Sequence, residues 1–167
     1  MIPRRFPLRL PFYDYTLPAS YFITICTKNH LRLFGEIHNG CLQASPQGKF
    51  VIDVTQRLPS ILPYIEIPIH AIMPNHVHLL LHVNCNQPEG ADLTHGLSSV
   101  IGTYKSLITR LIHEQTSYTG TVWQRFFHER RIKNERMYWA VWEYIENNPV
   151  NWTRDPDHRW LKARFGQ

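Results

Sequence analysis

Residues 65–83 read IEIPIHAIMPNHVHLLLHV. Two apolar, β-branched runs flank Pro74-Asn75, and a Pro-Asn pair between such runs signals a tight turn. A chain with this stretch is strongly constrained to fold it as an antiparallel hairpin. Side chains alternate along a strand, so Val77, Leu79, Leu81 and Val83 share one face, and His76, His78, Leu80 and His82 share the other. His76 and His78 would lie about 6.5–7 Å apart along the strand. His82 lies about 13 Å beyond His78 and reads as structural.

The other elements follow from similar signals. YFITICT (21–27) reads as a strand, and RLFGEI and CLQAS read as an early hairpin turning at Asn39-Gly40. Ser45 is an N-cap with Pro46 at the first helical position, and that helix is expected to run to about Arg57, before Pro59. From Asp92 to about Glu114, the series Leu93, Leu97, Val100, Ile101, Tyr104, Leu107, Ile108, Leu111 and Ile112 has helical spacing. WQRFFHERRI contains a strand. Asn134 caps a helix from Glu135 to about Asn148, ended by Pro149. Trp152 and Trp160 are expected to dock on the body.

Without the early hairpin the order is β-α-β-β-α-β, with a helix appended. This is the order of an α+β, ferredoxin-like fold, an antiparallel sheet with two helices on one face. The additional C-terminal helix has no place fixed by the pattern.

A length of 167 residues suits a single domain (1–167), with an N-terminal arm at 1–20 and a C-terminal tail at 149–167. The apolar fraction of 43% is enough for a core. No run approaches roughly 18 apolar residues, so no membrane span is expected. Pro3, Pro7, Arg9 and Pro11 interrupt any signal-peptide core, and a cytoplasmic protein is expected. Cys26, Cys41 and Cys85 form no CxxC pair and read as small core residues rather than a zinc knuckle or disulfide framework.

The formal charge is +5 and the pI about 9.3, which is compatible with a polyanionic partner. Arg125, Arg130, Arg131 and Lys133 interleave with Trp123, Phe126 and Phe127. Cations beside aromatic faces suit single-stranded nucleic acid, whose bases are free to stack. An amphipathic strand with a solvated face is the plainer alternative.

Two neutral imidazoles suit a divalent metal, with further donors from the fold or from substrate. Two hydrogen-bonded histidines without a metal are the plainer reading. In EYIENNP (143–149), Tyr144 and Asn148 lie four apart and present a phenol and an amide on one helix face. A tyrosine beside a metal and a phosphate can act as a nucleophile. Tyr104, Tyr118 and Tyr138 lie in the same half, and spacing does not choose among them.

The stretches YDYTLPASYFITICTKN (13–29), LFGEI (33–37), MPNHVHLLL (73–81), YKS (104–106), WQRFFHERRIKNE (123–135) and YIENNPVNW (144–152) together resemble the single-tyrosine HUH transposases. Within them, the resemblance is to the branch of REP-associated tyrosine transposases. It runs in order over nearly the whole chain. It implies His76 and His78 as metal ligands, Tyr144 as nucleophile and Asn148 at the helix-borne polar ligand position, where relatives commonly have Gln. It implies magnesium or manganese as cofactor. The implied partner is single-stranded or hairpin-bearing DNA, cut and rejoined through a covalent 5′-phosphotyrosine. Arg125, Arg130, Arg131 and Lys133 are candidate DNA contacts, with Lys105 on the long helix and Arg4 and Arg5 in the arm. Glu129 is given no catalytic role. Both a homodimer and a monomer are compatible with the family.

Two other functions compete. A metal-dependent phosphoesterase of another class lacks its motif here, because Leu80 stands where a third alternating histidine would be needed. A nucleic-acid-binding module derived from such a transposase, without cleavage, would keep the basic and aromatic residues but not need Tyr144.

Overall fold

The computed structural model describes residues 19–83 and 96–152. Among these residues six strands and three α-helices follow in order: β1 (Ala19–Cys26), β2 (Gly35–His38), β3 (Cys41–Ala44), α1 (Pro46–Ile61), β4 (Ile65–Met73), β5 (His76–Val83), α2 (Gly96–Gln115), β6 (His128–Arg131) and α3 (Glu135–Asn147). The main sheet has the order β4-β5-β1-β6, and every neighbouring pair is antiparallel. This is the expected ferredoxin-like arrangement. The hairpin β2–β3 forms a separate ribbon.

Local chemistry explains the boundaries. At the β2–β3 turn, Asn39 and Gly40 both take positive φ, 51° and 74°, which is the backbone a two-residue hairpin loop requires. Ser45 accepts the Gly48 N–H at 3.0 Å and so caps α1. Asn134 caps α3 by accepting the Met137 N–H at 2.9 Å. Pro68 lies in edge strand β4 where the register slips between Glu66 and Ile69, a place where a missing donor is tolerated.

The sheet is covered on both faces. Ile23, Ile25, Val77, Leu79 and Leu81 pack with Val51 and Leu58 of α1 and Val100, Tyr104 and Ile108 of α2. On the other face, Val141, Tyr144 and Ile145 of α3 pack with Phe22, Ala71, Met73 and Leu80. The sequence pattern leaves α3 unplaced; the structure sets it on the face opposite α1 and α2. Full burial of Val141 and Ile145 contributes roughly 1.5–3 kcal/mol each toward holding it there.

Some expectations need correction. The first helix does not stop before Pro59 but continues to Ile61. Proline removes one backbone donor, yet fully buried Leu58 anchors the last turn, and the Leu62 N–H closes it on the Leu58 carbonyl at 2.8 Å. Cys26 is buried, whereas Cys41 is exposed on the β2–β3 ribbon and is no core residue. Cys85, Trp160 and the expected helix start at Asp92 lie outside the described residues. Among the described residues no helix is long and apolar enough to cross a membrane.

Two glycines test this packing. A Cβ at Gly48 would overlap the Phe34 carbonyl, whereas at Gly102 in α2 it would meet open space. Gly48→Ala is expected to destabilise the protein by about 1–3 kcal/mol. Gly102→Ala is expected to stabilise it by roughly 0.5–1 kcal/mol. Urea unfolding of both variants measures the difference in sign.

Candidate active site

β5 presents His76 and His78 toward the α3 side of the sheet, where they are 2% and 0% exposed. Their rings meet edge-on, with centroids 4.6 Å apart, and the two Nε2 atoms are 3.1 Å apart. Each Nδ1 has its own partner. Asn75 Oδ1 lies 2.7 Å from His76 Nδ1, and Thr24 Oγ1 lies 2.9 Å from His78 Nδ1.

The Asn75 amide is fixed at both ends, because its Nδ2 donates to the His30 carbonyl at 3.4 Å. Its oxygen therefore faces His76 and can only accept. In the neutral ring the proton sits on His76 Nδ1, and the Nε2 lone pair points at His78. Thr24 can accept from His78 in the same way, which leaves two lone pairs directed at one point. Two ligands about 2.1 Å from one ion, at a right angle, would lie roughly 3 Å apart. The observed 3.1 Å fits that chord. Nitrogen atoms this close also suit a shared proton.

The backbone around the pair is tied down. Thr27 N–H donates to the Asn75 carbonyl at 2.9 Å, and Phe34 N–H donates to the Pro74 carbonyl at 2.9 Å. Thr27 Oγ1 lies 2.7 Å from the Leu31 carbonyl and 2.9 Å from that of Asn75. These bonds fasten the 28–34 loop to the β4–β5 turn.

α3 brings Tyr144 to the pair within the same chain. Its ring stands edge-on to His78, with centroids 5.3 Å apart, and edge-on to Phe22 at 5.9 Å. Phe22 in turn stacks on His78 at 5.2 Å. Asn148, at the C-cap of α3, is also buried. The turn beyond it brings the Trp152 ring to 5.8 Å from His76, and the Arg32 guanidinium lies 5.8 Å over that indole. The docking expected of Trp152 is thus observed, on His76.

Other tyrosines and the buried thiol of Cys26 are set differently. Tyr104 is buried on the α1–α2 side, bonded to Thr55 at 2.7 Å, and burial pushes its phenol up. Tyr118 donates to the Thr121 carbonyl at 3.2 Å. Tyr138 packs on His82, at 5.7 Å. His82 itself sits apart from the pair, 3.9 Å from Glu66. Burial pushes the Cys26 thiol up to about 11, against a smaller opposing pull from Lys105, so it stays protonated at neutral pH.

The basic candidates divide by face. The register pairs Thr24 with His128 and Phe22 with Arg130, and Ile23 with Glu129 and Tyr21 with Arg131. Directly paired residues share a face. His128 and Arg130 therefore belong to the histidine face, and Glu129 and Arg131 to the α1–α2 face. Lys133 is exposed just before α3. Arg125 is exposed with its guanidinium 5.4 Å over Phe126, which is 55% exposed. Trp123 is buried in the α1–α2 core and offers no face to a base. Lys105 directs its ammonium at the carbonyls of Gln124, Arg125 and Phe126, at 2.8, 3.3 and 3.4 Å. Burial lowers its pKa, with a smaller opposing effect of Cys26. Arg4 and Arg5 lie outside the described residues.

Sequence reasoning missed Asn75, Thr24, Phe22, Trp152 and Arg32 as neighbours of the site. Asn75 could have been suspected from its adjacency to His76. The others depend on strand register or on where α3 docks.

No family model matches the chain. An uncharacterized protein of Haemophilus influenzae is 34% identical over 168 residues, covering 92% of this chain and 93% of the relative. Among solved structures, a REP-associated tyrosine transposase bound to a REP hairpin superposes with a TM-score of 0.60 at 22% identity, covering 86% of this chain and 72% of that one. A Deinococcus radiodurans protein, provisionally classed as a transposase, superposes with a TM-score of 0.51 at 16% identity, covering 83% and 95% of the respective chains. The chain belongs to one family with the Haemophilus influenzae protein, and its fold is the one found in the REP-associated tyrosine transposase.

Proposed function

We propose that the protein cuts and rejoins single-stranded DNA, as a transposase, through a covalent link to Tyr144. The observation that carries this reading is the meeting, in one chain, of the Tyr144 ring with a histidine pair whose Nε2 atoms converge at 3.1 Å. His76 and His78 would hold a divalent ion, magnesium or manganese, with the Asn148 amide oxygen as a further donor. Bound there, the ion supplies Lewis-acid polarisation of a phosphoryl oxygen.

The phenol oxygen of Tyr144 attacks the phosphorus and loses its proton. The bond from phosphorus to the 3′-oxygen breaks, and that oxygen takes up a proton and leaves as a 3′-hydroxyl. The downstream strand stays on Tyr144 through its 5′-phosphate. Attack by a 3′-hydroxyl reverses the step, so the phosphoester energy is conserved and no external source is needed. One chain brings the nucleophile and both imidazoles together, so this chemistry does not require a second copy to supply either.

Arg125 and Arg130, with Lys133, are proposed to contact the DNA backbone, and Phe126 to stack on an unpaired base. Arg131 belongs to the opposite face of the sheet and would reach only DNA that wraps the β6 edge. Lys105 serves the same surface indirectly, because its bonds to three carbonyls hold the loop that carries Arg125 and Phe126. The REP hairpin bound by the transposase of like fold supports a hairpin-bearing strand as the partner.

Incubating the protein with manganese and end-labelled single-stranded DNA, some of it hairpin-bearing, is expected to yield an adduct that survives denaturation. Tyr144→Phe is expected to abolish the adduct while leaving DNA binding intact. Binding without any adduct in the unmodified protein would favour a module that has lost cleavage. Cleavage that persists in Tyr144→Phe would assign the nucleophile elsewhere.

The partners of the histidines give a second test. Asn75→Ala removes the group that orients His76, and Thr24→Val removes the partner of His78. Each is expected to weaken manganese binding about 10–100-fold, as loss of a ligand-orienting hydrogen bond does. Calorimetric titration reads this without any DNA. Unchanged manganese affinity in both variants would count against a metal held by this pair.

A further inference from the structure

We propose that Arg32 is a phosphate-gripping residue of this site, seated on Trp152 so that its guanidinium meets the strand whose scissile phosphate lies at His76 and His78. This rests on the functional reading above and adds a residue to it.

Arg32 lies in the loop between β1 and β2, outside the basic groups around 125–133, and nothing in its sequence setting marks it. Its position is set by the fold. The loop backbone is pinned on each side: Leu31 N–H donates to the Lys28 carbonyl at 3.2 Å, Phe34 N–H to Pro74 at 2.9 Å, and Ser45 Oγ to the Leu33 carbonyl at 2.7 Å. The guanidinium lies 5.8 Å over the Trp152 ring, within the range of a cation–π contact. A cation–π contact uses the charge of the ion rather than a hydrogen bond, so it does not use up the N–H donors of the guanidinium. Arg32 is exposed, and among the described residues no carboxylate pairs with it.

The indole carrying this cation also lies 5.8 Å from His76. One ring thus links the Arg32 guanidinium to the imidazole pair. A guanidinium fork matches a phosphate's two oxygens in a way a lysine ammonium does not. Among the described residues there is no cluster of three or more His, Cys, Asp or Glu side chains able to hold a metal. A fixed cation beside the imidazole pair favours a polyanionic strand.

Trp152 is itself placed by the chain that carries the nucleophile. Asn151 N–H donates to Asn147 at 3.1 Å and Trp152 N–H to Pro149 at 3.4 Å, folding the indole back from the end of α3. The element that delivers Tyr144 therefore also holds the Arg32 cation in place.

The test measures binding of the full chain to a fluorescein-labelled, mixed-sequence single-stranded oligonucleotide over a range of salt, without added metal. Removing one phosphate contact is expected to make the log–log salt slope shallower by about 0.7. Arg32→Ala should show this, and Arg32→Lys should keep the slope while slowing adduct formation with manganese. Trp152→Ala, which removes the seat, should also make the slope shallower and slow the adduct, with partial rescue in Trp152→Phe. Arg57→Ala, which removes a cation paired with Asp53 on α1, is the control and should leave slope and adduct unchanged. An unaltered slope in Arg32→Ala, or an equal change in Arg57→Ala, overturns the proposal, as does failure of the unmodified protein to bind the strand. Binding with the expected slope change but no adduct in the unmodified protein would retain the Arg32 grip and defeat the cleavage reading.

Discussion

Strand β5 is buried on both faces for nearly its whole length. That single condition dictates most of what surrounds it. A strand with two covered faces needs an apolar layer on each side, and every polar group it carries must find a partner inside the protein. Val77, Leu79 and Leu81 meet the first requirement toward α1 and α2. On the other side only Leu80 is aliphatic, and two imidazoles occupy the rest of the buried row. A buried polar group left without a partner costs about 1–3 kcal/mol. The Asn75 and Thr24 oxygens on the two Nδ1 atoms offset that cost. They also orient both rings so that the Nε2 atoms converge. What stability demands of the strand and what a cation-binding site needs are met by the same four side chains.

Rigidity follows from where these groups stand. His78 and Thr24 are cross-strand partners in the centre of the sheet, and His76 begins β5 directly after a turn bonded to Thr27 and Phe34. Groups held by strands lose little freedom when a ligand arrives, which favours binding in a defined geometry. The 28–34 loop is less regular, with Asn29 and His30 at positive φ of 53° and 54°. Asn75 Nδ2 reaches the His30 carbonyl in that loop, so the same amide that orients His76 also helps to hold the strained turn.

Much of this was legible in the residues. Alternation in HVHLLLHV separated the histidine face from the all-aliphatic face, because a period of two sends successive side chains to opposite sides of the sheet. Asn39-Gly40, Ser45 and Asn134 marked their turn and caps through chemistry confined to a few neighbouring residues. What failed was non-local. Nothing in the periodicity of α3 says which face of the sheet it covers, so the meeting of Tyr144 with His78 was reached by resemblance rather than by spacing. Thr24 became a partner of His78 only through strand register. Arg32 and Trp152 lie 120 positions apart in sequence and meet through the turn after α3. Lys105, a candidate DNA contact on the long helix, directs its donors at the backbone carbonyls of residues 124–126, a contact that helical spacing does not reveal. Pro59 was overruled by the burial of Leu58, a packing term that local propensity does not contain.

The site is therefore assembled by docking rather than by one motif. The imidazoles come from β5, their orienting groups from the turn and from β1, and the Tyr144 and Trp152 rings from α3 and its final turn. Phe22 sits where these contributions join, stacked on His78 at 5.2 Å and edge-on to Tyr144 at 5.9 Å. Its ring is a spacer as well as a core residue. A smaller side chain there would let the α3 layer settle toward the sheet and alter the angle between phenol and imidazole, while a larger one would lift the helix. Because interiors pack at near-crystalline density, such a shift passes directly to the groups resting on it. The separation between Tyr144 and the histidine pair is thus set by ring thickness and helix packing, and the proposed chemistry depends on an apolar residue that takes no part in any bond-making step.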